Sequence, residues 1–224
     1  MLKKLNIYEW LLISGILILN IITFIVFKDN NWIGIVSSIT GVICVVMTAK
    51  GHISCYYWGI INILAYVIVS YQASFYGEVM LNGLYYLPMQ FIGIYMWRKN
   101  ISENNIVKTR GMKKNQLFIT IVISILTIFI YGLILKAMNG NQPFVDSTTN
   151  VLSLIAMYLS VKRFKEQWLL WITVDVITIY MWVVALMHNE LNSLVMVIMW
   201  SFYLINAIYG YINWSKLEKR NKNV

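Results

Sequence analysis

Nine acidic residues occur among 224, and one of them, Asp175, stands deep in an apolar run, Trp168-Leu-Leu-Trp171-Ile-Thr-Val-Asp175. Spacings of three and seven put Trp168, Trp171 and Asp175 on one helix face, which Thr178 and Trp182 continue. Seven residues at about 1.5 Å each carry the carboxyl roughly 10 Å inward from Trp168. Asn62 follows Trp58 by four residues and sets an amide beside an indole in the same way, and Gln90, in Pro88-Met89-Gln90, adds a third polar group. Indole faces stack flat or cationic rings, while carboxylate and amide groups bond to hydroxyls. The set suits a flat polar or cationic ring joined to a hydroxyl-rich group. The competing reading for Asp175 and Asn62 is a bond to a neighbouring helix that only fixes packing, and for Gln90 that reading has equal weight.

The segments that must hold these side chains are almost entirely apolar. Hydrophobic residues make up 59% of the chain and charged ones 12%, with a mean hydropathy of +0.67. A soluble domain carries about 25% charged residues, so the composition excludes an ordinary globular enzyme, a disordered chain and a disulfide scaffold. Eight apolar segments follow one another: 10–27, 33–49, 53–71, 79–97, 117–135, 144–161, 168–187 and 191–214. Each holds roughly 17 to 24 residues, enough to cross a hydrocarbon core of about 30 Å as a helix. Inside lipid the backbone must bond to itself, so the predicted class is an all-α integral membrane protein with eight transmembrane helices. The first segment is long for a signal-peptide core and no small-x-small cleavage site follows it, so it reads as retained.

Sixteen of the 18 Lys and Arg residues lie at the N-terminus, at Lys50, in the 98–114 loop, in the 162–166 turn and in the C-terminal tail. Only Lys28 and Lys136 fall on the opposite side. This alternation predicts a multi-pass protein of the cytoplasmic membrane with both termini inside. The net charge of +9 is spread between apolar segments instead of gathered on one exposed element, which argues against nucleic acid as a partner. The partners expected are the lipid bilayer and a small molecule, with a homo-oligomer possible.

The two halves resemble each other. A shift of 113 sets Lys50 on Arg163, Trp58 on Trp171 and Asn62 on Asp175; a shift of 117 then sets Tyr86 on Tyr203, Gly93 on Gly210 and Trp97 on Trp214. Both three-helix units start from the same side, so they read as parallel repeats, an arrangement found in transporters. The expected organisation is an extra N-terminal helix in 1–31, a first repeat in 32–98, a loop and linker helix in 99–143, a second repeat in 144–214 and a basic tail in 215–224.

Other chemistry lacks its residues. His52 and His188 have no second ligand at metal-binding spacing, and no Walker loop, dinucleotide fingerprint, nucleophile elbow or paired catalytic carboxylates occur. No cofactor is expected. Cys44 and Cys55 lie in or beside apolar runs and read as reduced thiols. Trp10, Trp32, Trp97 and Trp214 sit at segment ends, where an aromatic belt belongs.

Pro143-Phe144-Val145-Asp146-Ser147, Val151-Leu152-Ser153 and Gln167-Trp168-Leu169-Leu170-Trp171 with Asp175 together resemble the PnuC vitamin transporters, as do Tyr76-Gly77-Glu78 and Gln90-x-x-Gly93-x-x-x-Trp97. The family's Trp-x-x-Trp-x-x-x-Asp/Asn signature is complete at Trp168, Trp171 and Asp175. In the first repeat Trp58 and Asn62 match it, but Cys55 stands where an aromatic belongs. The similarity covers roughly 32–214. It implies a SWEET-like order of three, one and three helices after an extra N-terminal one. It further implies facilitated diffusion of an unphosphorylated vitamin, nicotinamide riboside first and thiamine or riboflavin as alternatives, trapped afterwards by a cytoplasmic kinase.

Two other classes compete with a passive carrier. A membrane enzyme needs clustered catalytic groups at one depth, whereas Asp175 is alone. A substrate-binding subunit of an ATP-driven importer would need a partner ATPase. The charge alternation yields a direct test of orientation: an impermeant thiol reagent applied to intact cells should leave a cysteine placed at Asn105 or Asn221 untouched. Labelling of either would overturn the assignment.

Overall fold

The computed structural model describes residues 6–27, 32–102, 105–139, 142–187 and 193–222; Lys28, His188 and the start of the eighth segment lie outside them. The described residues are helical apart from short connections. The elements are α1 (Ile7–Phe27), α2 (Trp32–Lys50), α3 (Ser54–Gln72), α4 (Tyr76–Leu81), a π turn (Asn82–Tyr86), α5 (Leu87–Arg98), α6 (Lys114–Ala137), α7 (Pro143–Val161), α8 (Gln167–Met187) and α9 (Ser193–Lys222). Because α4, the π turn and α5 run on without a break, the elements form eight helical rods matching the eight apolar segments. Five of them, α2, α3, α6, α7 and α8, are long and apolar enough to cross a membrane. The chain divides into two compact units, 1–108 and 109–224.

In the first unit α1 begins with a reciprocal cap. The Asn6 amide nitrogen donates to Glu9 Oε2 at 2.9 Å, and the Glu9 amide donates to Asn6 Oδ1 at 2.7 Å. Glu9 is only 2% exposed and also accepts from Lys50 Nζ at 2.7 Å, an ion pair that ties α1 to the end of α2. There α2 stops in a Schellman turn, with Gly51 at φ 74°, its amide on Thr48 O and the His52 amide on Met47 O. Residues 105–107 dock on that turn: Ile53 donates to Asn105 O and Val107 donates to Gly51 O. Burial and the nearby Lys50 charge lower the pKa of His52, whose neutral Nδ1 accepts from the Ser54 amide at 3.2 Å. The π turn ends two residues before Pro88, which has no N–H to give to an α-helix, and the Leu87 amide bonds to Asn82 O five residues back.

The second unit repeats the turn with other residues. Here α7 ends with Arg163 at φ 66°, its amide on Ser160 O and the Phe164 amide on Leu159 O, and Arg110 docks by donating to Arg163 O and accepting from Lys165. Gly51 therefore corresponds to Arg163 and Tyr56 to Trp168, a shift of 112. The sequence comparison, at 113, is one residue out over this stretch, because neighbouring apolar positions in the helices are interchangeable by type. In the corrected register Asp175 corresponds to Ile63 and Asn62 to Val174. The 117 shift at the far end holds, since Gly93 and Gly210 play one role. A Cβ on Gly210 would come within 2.5 Å of the Trp168 ring, and one on Gly93 would overlap the Tyr56 ring. Each ring then meets a tryptophan edge to face, Tyr56 on Trp97 at 4.8 Å and Trp168 on Trp214 at 6.0 Å between centroids.

Helix α6 packs within the second unit, on α7, where Phe144 fills the space left by Gly132 and Ser147 Oγ donates to Ile128 O at 2.6 Å. Helix α9 does not stop at Trp214. Residues 215–222 continue it, held by the Lys165–Glu218 ion pair at 2.7 Å and by Asn221 Nδ2 donating to Thr109 O at 3.2 Å, so this part of the basic tail is docked helix. Glu218 keeps the Lys165 ammonium charged to a higher pH than usual.

Overpacking costs about 1 to 3 kcal/mol, so Gly210→Ala should lower the thermal midpoint of the purified protein. Gly77→Ala, where a Cβ would meet nothing within 4 Å, should not.

Candidate functional site

Asp175 is the side chain on which the site is built. It is 4% exposed on α8, and it makes no side-chain hydrogen bond to any described residue. A carboxyl within a membrane helix costs about 2.5 to 3.5 kcal/mol on insertion scales, so it belongs against protein or a wet cavity. The packing explanation requires a partner on a neighbouring helix, and none is present among the described residues. One turn away Trp171 is half-buried, as are Thr178 and Trp182 further along α8. The Thr178 hydroxyl donates to Val174 O at 2.9 Å, which leaves its oxygen as an acceptor only. Trp168, by contrast, is 3% exposed with its ring locked between Gly210 and Trp214. Its location suits holding α8 in rotation more than presenting a face to a ligand.

In the first unit Asn62 has a packing role. Its Nδ2 donates to Ser37 O at 2.7 Å and lies 3.1 Å from Ser37 Oγ, and it occupies the space that Gly41 leaves open, so the amide joins α3 to α2. Trp58 is half-buried one turn before it. Gln90 is 7% exposed, and its Oε1 lies 2.5 Å from where a Gly59 Cβ would stand, so Gly59 makes room for the amide between α3 and α5. The missing aromatic at Cys55 is supplied by the next residue: Tyr56 takes the role that Trp168 has in the second unit.

Glu9 and Gln167 are among the buried polar groups that hydropathy alone does not single out. Glu9 was legible from its Asn6-x-x-Glu9 spacing, a capping signature. Gln167, at the start of α8, is fully buried, and the signal for it is its spacing of four from Trp171 and eight from Asp175.

The family model described as nicotinamide mononucleotide transporter matches residues 31–216. The chain belongs to this family. A Neisseria mucosa relative named nicotinamide riboside transporter PnuC is 40% identical over 201 residues, covering 88% of this chain and 76% of that protein. One of the same name from Haemophilus influenzae is 32% identical, covering 85% and 82%. The crystal structure of the vitamin B3 transporter PnuC matches with a TM-score of 0.79 at 37% identity, over 97% of this chain and 94% of that one. The resemblance read from the Trp168-to-Asp175 stretch is thus a family relationship. This PnuC-family chain is a multi-pass membrane transporter of a non-enzyme family.

Proposed function

We propose that this chain imports nicotinamide riboside across the cytoplasmic membrane by facilitated diffusion. It alternates between outward- and inward-open states without ATP, and the product is trapped by phosphorylation in the cytoplasm. The observation that carries the reading is Asp175, a buried carboxyl without a hydrogen-bond partner among the described residues, one turn from the half-buried Trp171. The riboside offers what these two lack: a flat cationic pyridinium ring for the indole and ribose hydroxyls for the carboxylate. The family description names the mononucleotide and the relatives name the riboside.

Eight crossings with both termini inside agree with the eight helical rods and the Lys/Arg alternation. The reading extends to a SWEET-like order, with an extra helix α1, three helices, the linker α6 and three more, which the chain order of the rods supports. The candidate ligand contacts are Trp171, Asp175, Thr178 and Trp182 within the second unit and, taken separately, Trp58, Asn62 Oδ1 and Gln90 within the first.

A hydrogen bond to a charged group contributes about 1.5 to 3 kcal/mol, and 1.4 kcal/mol is about tenfold in affinity. Asp175→Ala should therefore weaken nicotinamide riboside binding by roughly ten to a hundredfold, and Trp171→Ala, Trp58→Ala and Asn62→Ala should act in the same direction. Trp10→Ala, at an exposed position near the start of α1, should bind normally. Titration against nicotinamide riboside, thiamine and riboflavin reads this directly. Unchanged affinity for all three in well-folded Asp175→Ala would remove the site from α8. In liposomes the purified protein should equilibrate substrate without ATP or an ion gradient. Accumulation only under an imposed proton gradient would replace facilitated diffusion with proton coupling.

A further inference from the structure

Gln167 is fully buried in the first turn of α8, and neither Nε2 nor Oε1 has a hydrogen-bond partner among the described residues. The indole N–H of the adjacent Trp168 is likewise buried without a partner. Native interiors rarely leave such groups unmet, and each instance calls for a ligand or a water. Gln167, Trp171 and Asp175 succeed one another at intervals of four, on a single ridge of α8. The ridge thus presents an unmet primary amide, then an indole, then an unmet carboxyl, over eight residues or about 12 Å of helix. Its counterpart of Gln167 in the first unit is Cys55, a buried thiol, so the amide is not a requirement of the repeated fold.

We infer that Gln167 is a specificity-determining residue that pairs with the carboxamide of the nicotinamide ring. This rests on nicotinamide riboside being the cargo. Two primary amides are complementary: Gln167 Nε2 donates to the carboxamide oxygen and the carboxamide N–H donates to Gln167 Oε1. The pyridinium ring then lies on Trp171 and the ribose hydroxyls reach Asp175. The ligand is held lengthwise along α8, with its carboxamide toward the α7–α8 turn.

The test is equilibrium binding of the full-length purified chain to two ligands, nicotinamide riboside and the pyridinium riboside that lacks the carboxamide. Wild type should prefer the first by about tenfold or more, the range of a buried polar pair. Gln167→Met, which keeps length and loses both amide atoms, should bind the two ligands equally, at the wild-type affinity for the analogue, and Gln167→Leu should do the same. Asp175→Asn should weaken both ligands and keep the preference. If Gln167→Met retains the preference, or if both Gln167 variants weaken the two ligands alike, as damage to the fold would, the assignment is overturned while the cargo reading stands. A wild type that binds no nicotinamide riboside overturns both.

Discussion

An aromatic ring seated on a bare glycine is the contact from which the rest of each unit follows. Lipid tails solvate apolar side chains as well as other helices do, so the hydrophobic effect does not press membrane helices together and shape complementarity must. Tyr56 enters the notch at Gly93, and Trp168 enters the notch at Gly210. Each ring also meets a tryptophan one turn further along the glycine's helix. A ring held on two sides leaves its own helix no freedom to rotate. For α8 that settles which way Asp175 and Gln167 face, although neither touches the glycine.

The turns before these rings supply the second constraint. A Schellman ending at Gly51 and another at Arg163 reverse the chain within a few residues, and a short extended segment docks on each through paired backbone bonds. Glycine adopts the left-handed conformation at the first turn without cost. Arginine at the second carries a Cβ into that region, a modest strain that the backbone bonds with Arg110 hold in place.

Much of this was legible in the sequence. Apolar length gave eight rods within a few residues, because in lipid a helix is nearly the only option, and glycine and tryptophan spacing gave the equivalence of 93 with 210 and of 97 with 214. The register at the other end was not legible. Trp58 and Asn62 imitate Trp171 and Asp175 so closely that the types alone favour a shift of 113, whereas the backbone bonds at Gly51 and Arg163 and the seating of Tyr56 and Trp168 fix it at 112. The same blindness concealed the partner of Asn62: a serine 25 residues upstream is one of many polar residues scattered in apolar runs, and hydropathy does not single out Ser37. Pro88 was visible, but not that a π turn would form just before it. Glu9 stands just outside the first apolar segment, where hydropathy gives no sign that an acid is buried.

The corrected register has a consequence for how the two copies can change over time. Where the second copy carries Asp175 and Gln167, the first carries Ile63 and Cys55, side chains that ask nothing of a cargo. Two units built on matching turns offer two equivalent places for a polar group, and at these two places the demanding side chains have collected in the second unit. At those two positions the first unit is left to drift among apolar residues of similar volume, provided that Gly93 stays bare, an aromatic still fills it, and Asn62 and Gln90 keep their places.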